Sequence, residues 1–470
     1  MVFTQSPAIF TTLFRDAHTR TVRTVILGDS QETSPGGLGS VYVPRLDFEF
    51  FRIYGHAPET PLTSASGSTG GGSPWAAWMI RLSGASPGLA ASRVPPSSLP
   101  PNIRAGASSA LGGMNVNNNQ LYGSLVMLQP DAADTNPQAG LAGSTHYMDV
   151  SQGVYLDVYA AANASSGEVH GRITPALTHA PSYFQPTTGV ADTSLALNQP
   201  GALFRRQRLG PFGLAGRPYF QVELSGTNPA AFTDIIAVDF ASAANPAGFV
   251  VTTLSAGGYK VSDYLAGHAA GTPLIALYNP DMIWISYGAN DAGVGRSPQN
   301  FRDDLTALIT HLRLQIRPDL PIVIVSDPYR VLPADQLANL DRYPGVAYDI
   351  AMHDPLVCAL NSRRLTDAAG WTPANSTTYL ADGVHYNAVG AMLKASLEVQ
   401  ALVEAFGGSP CDPDLSRDGN VDIGDVDYLI NVVAGGDNPA AIDPDFSRDG
   451  NVDTHDIDAL INVVAGGDCP

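Results

Sequence analysis

Short apolar runs that stop at glycine or polar residues recur along this chain. The first spans residues 21–30 (T-V-R-T-V-I-L-G-D-S), and its apolar part ends abruptly at Gly28. A glycine turn after a buried strand holds the next side chain, here Ser30, at the edge of a sheet, where a nucleophile is well placed. Later runs of the same kind are Phe249–Leu254, Met282–Tyr287 and Pro321–Ser326.

Helical patterns alternate with these runs. The sequence predicts helices over Val41–Tyr54, from near Ser262, over Pro298–Ile316, over Ala351–Thr366 and from Asn387 to about Phe406. Strands that alternate with amphipathic helices are typical of parallel βαβ units. We therefore expect an α/β domain with a doubly wound sheet, whose strands place their carboxyl ends at one edge.

A stretch with a different composition and pattern interrupts this α/β alternation. It begins with a Gly/Ser-rich piece at residues 64–73 and a Pro-rich piece at 95–101. Short β-like runs spaced by Gly, Pro, Asn and Asp follow, which is the pattern of a sandwich-like, mainly β domain. The predicted organisation is an α/β domain over residues 1–56 and 245–407, an inserted β-rich domain over 57–244, and a C-terminal module over 408–470.

Composition places most of the negative charge at the C-terminus. A chain of 470 residues exceeds what one core usually organises. Its net charge is −19, and residues 408–470 supply −12 of this through 14 Asp against two Arg. This balance argues against a nucleic-acid partner and against attraction to anionic lipid. The acidic tail instead favours binding of a divalent cation.

Three motifs supply the parts of a nucleophilic site. Ser30 needs a base and donors for an oxyanion, and His385 is the candidate base in D-G-V-H. Asp382 is expected to accept from the imidazole Nδ1, which directs Nε2 to Ser30. The candidate oxyanion donors are the Ser30 amide, the amide of Gly258 (Gly257 is the alternative) and the side chain of Asn290 in G-A-N-D. Taken singly, each residue also has a structural interpretation as a cap or turn residue.

These blocks resemble the SGNH (GDSL-like) hydrolase family. They are G-D-S at 28–30, a glycine at 257–258, G-x-N-D at 288–291 and D-x-x-H at 382–385. The resemblance covers about half of the chain and implies a flavodoxin-like three-layer fold, with ester hydrolysis or acyl transfer through an acyl-serine. Two departures stand out. More than two hundred residues separate the first two blocks, and the second block lacks the usual asparagine–glycine before it.

The acidic tail contains an internal repeat. The segment that begins D-P-D-L-S-R-D-G-N-V-D recurs 31 residues later with F in place of L. Each copy spaces oxygen-bearing residues as in a calcium loop, with glycine at the turn position and Asp at position 12. We expect two Ca²⁺ sites, one for each copy. The candidate ligands are Asp414, Ser416, Asp418, Asn420, Asp422 and Asp425, and Asp445, Ser447, Asp449, Asn451, Asp453 and Asp456.

With Asp rather than Glu at position 12, the doubled loop–helix unit resembles a type I dockerin. The resemblance implies a small α-helical, calcium-dependent module that binds a cohesin on a scaffold or cell surface. Cys411 and Cys469 bracket the tail and could form a disulfide in an oxidising compartment; the sequence does not decide whether they do. Cys358 is interpreted as a buried thiol.

Together these features predict an exported serine esterase that deacetylates an acylated polysaccharide and needs no cofactor for catalysis. The predicted location is extracellular or on the cell surface, although the N-terminus does not match a signal peptide and no apolar run has the length of a membrane span. Two alternatives remain open. One is a sugar O-acyltransferase, and the other is a non-catalytic glycan-binding or scaffold-attached protein on the same fold.

Overall fold

The computed structural model describes residues 1–32, 42–54, 63–64, 103–105, 115–116, 124–128, 154–161, 168–176, 193–196, 204–212, 219–226, 233–243, 247–255, 257–407, 415–416, 421–438, 444–447 and 451–465. Met1–Phe406 and Gly407–Pro470 form two compact units, and each is described by itself. Within the described ranges, no helix has the length and apolar character needed to cross a membrane.

In chain order, the strands are β1 (Val2–Thr4), β2 (Thr21–Gly28), β3 (Thr63–Ser64), β4 (Ile103–Ala105), β5 (Asn115–Val116), β6 (Ser124–Leu128), β7 (Val154–Ala161), β8 (Glu168–Ala176), β9 (Thr193–Ala196), β10 (Phe204–Phe212), β11 (Tyr219–Gly226), β12 (Thr233–Ser242), β13 (Gly248–Ser255), β14 (Met282–Ser286), β15 (Ile322–Val325) and β16 (Val357–Leu360). The α-helices of the first unit are Pro7–Asp16, Tyr42–Tyr54, Val261–Asp263, Thr272–Tyr278, Ala289–Gly293, Pro298–Gln315, Ala334–Leu340, Tyr343–Ala351, Ser362–Ala368 and Ala388–Leu402.

A central sheet runs in the order β1-β16-β15-β14-β2-β13-β5. Its five middle strands are parallel, and the edge strands β1 and β5 run antiparallel to their neighbours. Counted along the chain, the parallel strands have the order 2-1-3-4-5 that is typical of flavodoxin-like sheets. The prediction of an α/β fold is confirmed.

The apolar composition of the parallel strands follows from their burial on both faces. Every residue of β13, β14, β15 and β16 is buried. One hydrophobic cluster packs the helix Pro298–Gln315 on one face of the sheet, and a second packs the helices Pro7–Asp16 and Ala388–Leu402 on the other. The sheet is therefore the middle of three layers.

The prediction of one helix over Ala351–Thr366 is wrong. The structure has a helix ending at Ala351, the buried strand β16, and a new helix from Ser362. A run as short as V-C-A-L cannot be distinguished from a helical turn by periodicity alone. The boundary signal is Asn361, whose side chain accepts from the Arg364 N–H at 3.0 Å and so starts the next helix.

The described strands between residues 57 and 244 form two largely antiparallel sheets, β10-β7-β12-β3 with β4 beside β12, and β6-β11-β8-β9. The strand β5, which also falls in this stretch, pairs instead with β13 of the central sheet. Tyr159 of β7 is buried in the hydrophobic cluster that contains Tyr278. The β-rich stretch thus packs on the α/β core, and its separation as a domain over 57–244 stays a prediction, as do the other boundaries.

The second unit contains the helices Ile423–Val433 and Thr454–Val464, one in each repeat. Both begin after an aspartate whose side chain accepts a backbone N–H: Asp422 from Gly424 at 2.7 Å and Asp453 from His455 at 2.8 Å. The helices pack through a small core that includes Leu429 and Leu460. Cys411 and Cys469 lie outside the described residues, whereas Cys358 is buried in β16 and unbonded, as interpreted from the sequence.

Two helical glycines give a matched test of packing. A Cβ at Gly390 would lie 2.2 Å from the carbonyl oxygen of Tyr379, whereas one at Gly345 would meet nothing within 4 Å. We expect Gly390→Ala to lower the free energy of unfolding by about 1–3 kcal/mol. Gly345→Ala, also at the third helical residue, should raise it by about 0.5–1 kcal/mol. Urea unfolding measures both, and equal effects of the two substitutions would contradict the packing at Gly390.

Candidate active site

Ser30 follows the carboxyl end of β2 and lies at the edge of the central sheet. In the register of the sheet, Gly28 pairs with Ser255 of β13 and with Ser286 of β14. The segments that leave these three strands therefore start side by side, at the place where the strand order reverses. A Cβ at Gly28 would lie 2.6 Å from Oε2 and 2.8 Å from Cγ of Glu32, so a larger residue there would have to displace this buried side chain.

A chain of hydrogen bonds joins the three residues predicted to form the triad. The Ser30 Oγ lies 2.9 Å from Nε2 of His385, and the His385 Nδ1 lies 2.7 Å from Oδ2 of Asp382. The other carboxylate oxygen of Asp382 accepts the backbone N–H groups of Val384 at 3.0 Å and His385 at 2.7 Å. One aspartate thus fixes both the backbone turn and the orientation of the imidazole.

The charge of Asp382 suits this role. Partial burial opposes ionisation, but hydrogen bonds from the His385 backbone and ring and from the Val384 N–H outweigh it, and the pKa of Asp382 falls to about 2. A charged acceptor at Nδ1 favours the tautomer with its proton there, which leaves Nε2 free to take the Ser30 proton. The arrangement can activate a serine for attack on a carbonyl carbon.

The candidate oxyanion donors lie on the two neighbouring loops. A Cβ on Gly257 would lie 3.7 Å from the Ser30 Cβ, whereas Gly258 has a left-handed φ of 81° and open space at its Cβ position. The Asn290 amide nitrogen donates to Oδ2 of Asp29 at 3.0 Å and to the Tyr259 carbonyl oxygen at 3.1 Å. The choice between the glycine amides, and the role of Asn290, stay predictions.

The sequence interpretation missed a buried polar layer directly beneath the nucleophile. Glu32 is 1% exposed, accepts the Asp29 N–H at 3.1 Å and the Ser286 hydroxyl at 2.8 Å, and its burial raises its pKa well above the usual value. Burial, reinforced by the charge of Asp327, raises the pKa of Asp29 to about 7. The only local signal is the polar run D-S-Q-E after an apolar strand.

A second missed element follows β15. Arg330 is fully buried, donates to Oδ1 of Asp327 at 2.7 Å and lies 4.0 Å from the centre of the Tyr386 ring. The Tyr386 hydroxyl also donates to Asp327, at 3.2 Å. This cluster supports the residue that follows His385. Its position after a parallel strand, in S-D-P-Y-R, was the available signal.

In the second unit, eight of the twelve candidate calcium ligands lie within the described residues; Asp414, Asp418, Asn420 and Asp449 lie outside them. The position-12 carboxylates, Asp425 and Asp456, are 1% and 0% exposed. Each accepts the backbone N–H of the serine at loop position 3, at 2.9 Å from Ser416 and 2.7 Å from Ser447. Among the described residues, no three His, Cys, Asp or Glu side chains converge as a metal site.

The position-3 serine of the first loop adds a second observation. The Ser416 hydroxyl oxygen is buried and has no hydrogen-bond partner among the described residues. A buried hydroxyl without a partner is costly, and oxygen atoms are the ligands that Ca²⁺ prefers. The residues present are therefore compatible with a calcium ion in each loop.

Comparison with known proteins supports the chemistry of the first unit. Residues 222–393 match the family model of the GDSL-like Lipase/Acylhydrolase family. The matched range contains Gly258, Asn290, Asp382 and His385, and Ser30 precedes it. The prediction of an ester-hydrolysing enzyme is confirmed, and the resemblance to GDSL-like (SGNH) acylhydrolases is supported. No curated protein matches the chain.

Among the solved structures that match, one has a similar fold over most of this chain. A peptidoglycan O-acetylesterase matches with a TM-score of 0.52 and 14% identity, over 86% of this chain and 99% of that one. An esterase of carbohydrate esterase family 3 from Talaromyces cellulolyticus matches 34% of this chain and 72% of its own, with 19% identity and a TM-score of 0.27. An acetylxylan esterase from Geobacillus stearothermophilus matches 34% of this chain and 73% of its own, with 15% identity and a TM-score of 0.27.

The bond between Asp382 and His385 gives a test of the site. Asp382→Asn keeps an acceptor for the backbone turn but favours the wrong imidazole tautomer, so kcat for p-nitrophenyl acetate should fall by about 10³- to 10⁴-fold. Steady-state kinetics measure the fall. Asp319→Asn, which removes a charge from a side chain that is 71% exposed, is the control and should leave kcat unchanged. An unaltered kcat in Asp382→Asn would exclude Asp382 from the site.

Proposed function

We propose that this chain is a serine esterase that removes acetyl groups from an acylated polysaccharide through an acyl-serine intermediate at Ser30. The observation that supports this most directly is the continuous chain from the Ser30 Oγ to Nε2 of His385 at 2.9 Å and from Nδ1 to Asp382 at 2.7 Å. The three groups lie at the sheet edge where open α/β folds place their sites.

In the proposed reaction, the Ser30 Oγ attacks the ester carbonyl carbon while His385 Nε2 takes its proton. The tetrahedral intermediate collapses, the bond to the sugar oxygen breaks, and the imidazolium returns the proton to that oxygen. A water molecule then attacks the acetyl-serine, with His385 again as the base. Acetic acid is released and the Ser30 hydroxyl is restored, with the negative charge of Asp382 stabilising the imidazolium in both steps.

The oxyanion would accept hydrogen bonds from the backbone N–H groups of Ser30 and of Gly258 or Gly257, and from the side-chain amide of Asn290. The Asn290 amide nitrogen donates to Asp29 and to Tyr259. To donate to the oxyanion, the Asn290 amide has to share or release its hydrogen bond to Asp29 or to Tyr259 as negative charge develops on the carbonyl oxygen. Donors already fixed near their final position contribute most to catalysis, because little reorganisation remains.

Exposure of the triad favours hydrolysis over acyl transfer to a second sugar. The Asp382 and His385 side chains are 43% and 24% exposed. Water therefore reaches the base, whereas an acyltransferase has to exclude it. We propose an O-acetylated polysaccharide as substrate because the structural match to a peptidoglycan O-acetylesterase extends over 86% of this chain, far beyond the segment that matches the family model.

For the second unit we propose calcium binding by the two repeats. The buried carboxylates of Asp425 and Asp456 and the unpartnered hydroxyl of Ser416 support this. The other candidate ligands complete each loop. Calcium would supply no chemistry to the ester site; it would neutralise the carboxylates of each loop and hold that loop against its helix.

We further propose that this unit attaches the enzyme to a cohesin-like or cell-surface partner, as its resemblance to dockerins implies. Extracellular or cell-surface action fits that attachment and a polysaccharide substrate. The two helices present related residues to solvent, since Ile430 and its repeat equivalent Ile461 are 43% and 47% exposed. Single exposed apolar residues are common on folded proteins, so the resemblance to dockerins is what supports this proposal.

The esterase proposal predicts that wild-type protein hydrolyses p-nitrophenyl acetate and that Ser30→Ala abolishes this turnover, because the nucleophile is lost. The absorbance of p-nitrophenolate measures the rate. Ser297→Ala, which removes a hydroxyl that starts the helix Pro298–Gln315, is the control and should keep the activity. Acetate release from O-acetylated peptidoglycan and acetylated xylan then compares substrates. Absence of turnover in wild type would favour the non-catalytic alternative.

The calcium proposal predicts that Asp425→Asn combined with Asp456→Asn weakens Ca²⁺ binding by about 10- to 100-fold, since each substitution removes a charged ligand. Calorimetric titration of the EDTA-treated full chain measures the affinity and the number of sites. The matched control is Asp427→Asn with Asp458→Asn, which changes the same charge at exposed positions of the same helices. Equal effects of the two pairs, or no binding by wild type, would reject the loops as sites.

A further inference from the structure

The side chain of Gln31 holds the backbone on both sides of His385. Its Nε2 donates to the Val384 carbonyl oxygen at 3.1 Å, and its Oε1 accepts the Tyr386 N–H at 3.0 Å. Gln31 is the residue directly after Ser30. One amide therefore ties the nucleophile turn to the segment that carries the base, across 353 and 355 positions of the chain.

Gln31 is itself held in place. It is only 2% exposed, and its own N–H donates to Oδ1 of Asp29 at 3.0 Å. The far side of the histidine turn is anchored separately, because the Val331 N–H donates to the Gly383 carbonyl oxygen at 2.8 Å. The backbone that carries His385 is thus held on one side by the segment that follows β15 and on the other by the residue after Ser30.

We propose that Gln31 is a positioning residue that sets the distance between the Ser30 Oγ and His385 Nε2. The inference rests on the proposed function. Gln31 touches neither the ester nor the reacting atoms; it acts through the backbone of Val384 and Tyr386. A nucleophile and base displaced by about 1 Å lose on the order of 10²-fold in rate, so a small slackening of this contact is measurable.

The chemistry of the contact requires an amide. One partner is a carbonyl oxygen, which needs a donor, and the other is an N–H, which needs an acceptor. Methionine has a similar length and supplies neither at useful strength. A glutamate supplies both only while it is protonated; when ionised, it places a negative oxygen against the Val384 carbonyl and leaves that buried acceptor without a donor.

The first experiment compares Gln31→Met with wild type. We expect kcat for p-nitrophenyl acetate to fall by about 10- to 100-fold with KM nearly unchanged, because the reacting groups and not substrate binding are displaced. The control is Tyr264→Phe, which removes another buried hydrogen bond, to Thr272 at 3.0 Å, and should lower stability but not kcat. A wild-type kcat in Gln31→Met would overturn the proposal.

The second experiment uses Gln31→Glu and its pH profile. At low pH the neutral carboxyl can donate to Val384 and accept from Tyr386, so the variant should approach the wild-type rate. As pH rises through the pKa of the new carboxyl, kcat should fall, whereas the wild-type rate should not fall over the same range. A residue with a general packing role gives a uniform loss. A profile parallel to that of wild type would therefore reject the proposal.

A third measurement does not depend on ester turnover. The Tyr386 amide proton should exchange slowly with solvent in wild type and markedly faster in Gln31→Met, and a fluorophosphonate probe should label Ser30 more slowly in the variant. If wild type is labelled but hydrolyses no ester, the proposed function fails and the comparison of labelling rates still tests Gln31. Equal exchange and equal labelling in the two proteins would overturn the inference while the esterase activity stands.

Discussion

The parallel register of three strands determines where the chemistry is located. Gly28 of β2 is aligned with Ser255 of β13 on one side and with Ser286 of β14 on the other. The next few residues of each strand are those proposed to supply the nucleophile, the glycine amide and the Asn290 side chain. A slip of one residue in either pairing would turn every side chain of that strand to the opposite face of the sheet, so the side-chain packing on the two faces also fixes the site.

Beneath this edge, the protein keeps several carboxyl groups out of water. Burial raises the pKa of Glu32 well above its usual value and that of Asp29 to about 7. Such groups are costly unless they are hydrogen-bonded, and here they accept from Ser286, Asn290 and backbone N–H groups. The buried Arg330 guanidinium, paired with Asp327, supplies positive charge nearby. The layer is therefore a rigid support for the loops above it.

The sequence was sufficient for the motifs that are local. The D-x-x-H turn and the apolar strands before Ser30 and Asn290 are visible as short patterns, and the structure brings Ser30, His385 and Asp382 together. The strand β16 was mistaken for helix because four apolar residues have no decisive period. Gln31 could not have been found in this way, since its partners lie more than 350 positions away and are backbone atoms, which no residue type reveals.

Asp29 connects the two halves of the site. Through Oδ1 it accepts from the Gln31 backbone, and through Oδ2 it accepts from the Asn290 amide. The first contact orients the residue that holds the histidine segment, and the second orients the side chain proposed to bind the oxyanion. The aspartate of the G-D-S turn needs no contact with substrate to matter, because base and oxyanion donor are both placed relative to it. This explains why a side chain that is 2% exposed, next to the nucleophile, is a carboxylate and not an apolar residue.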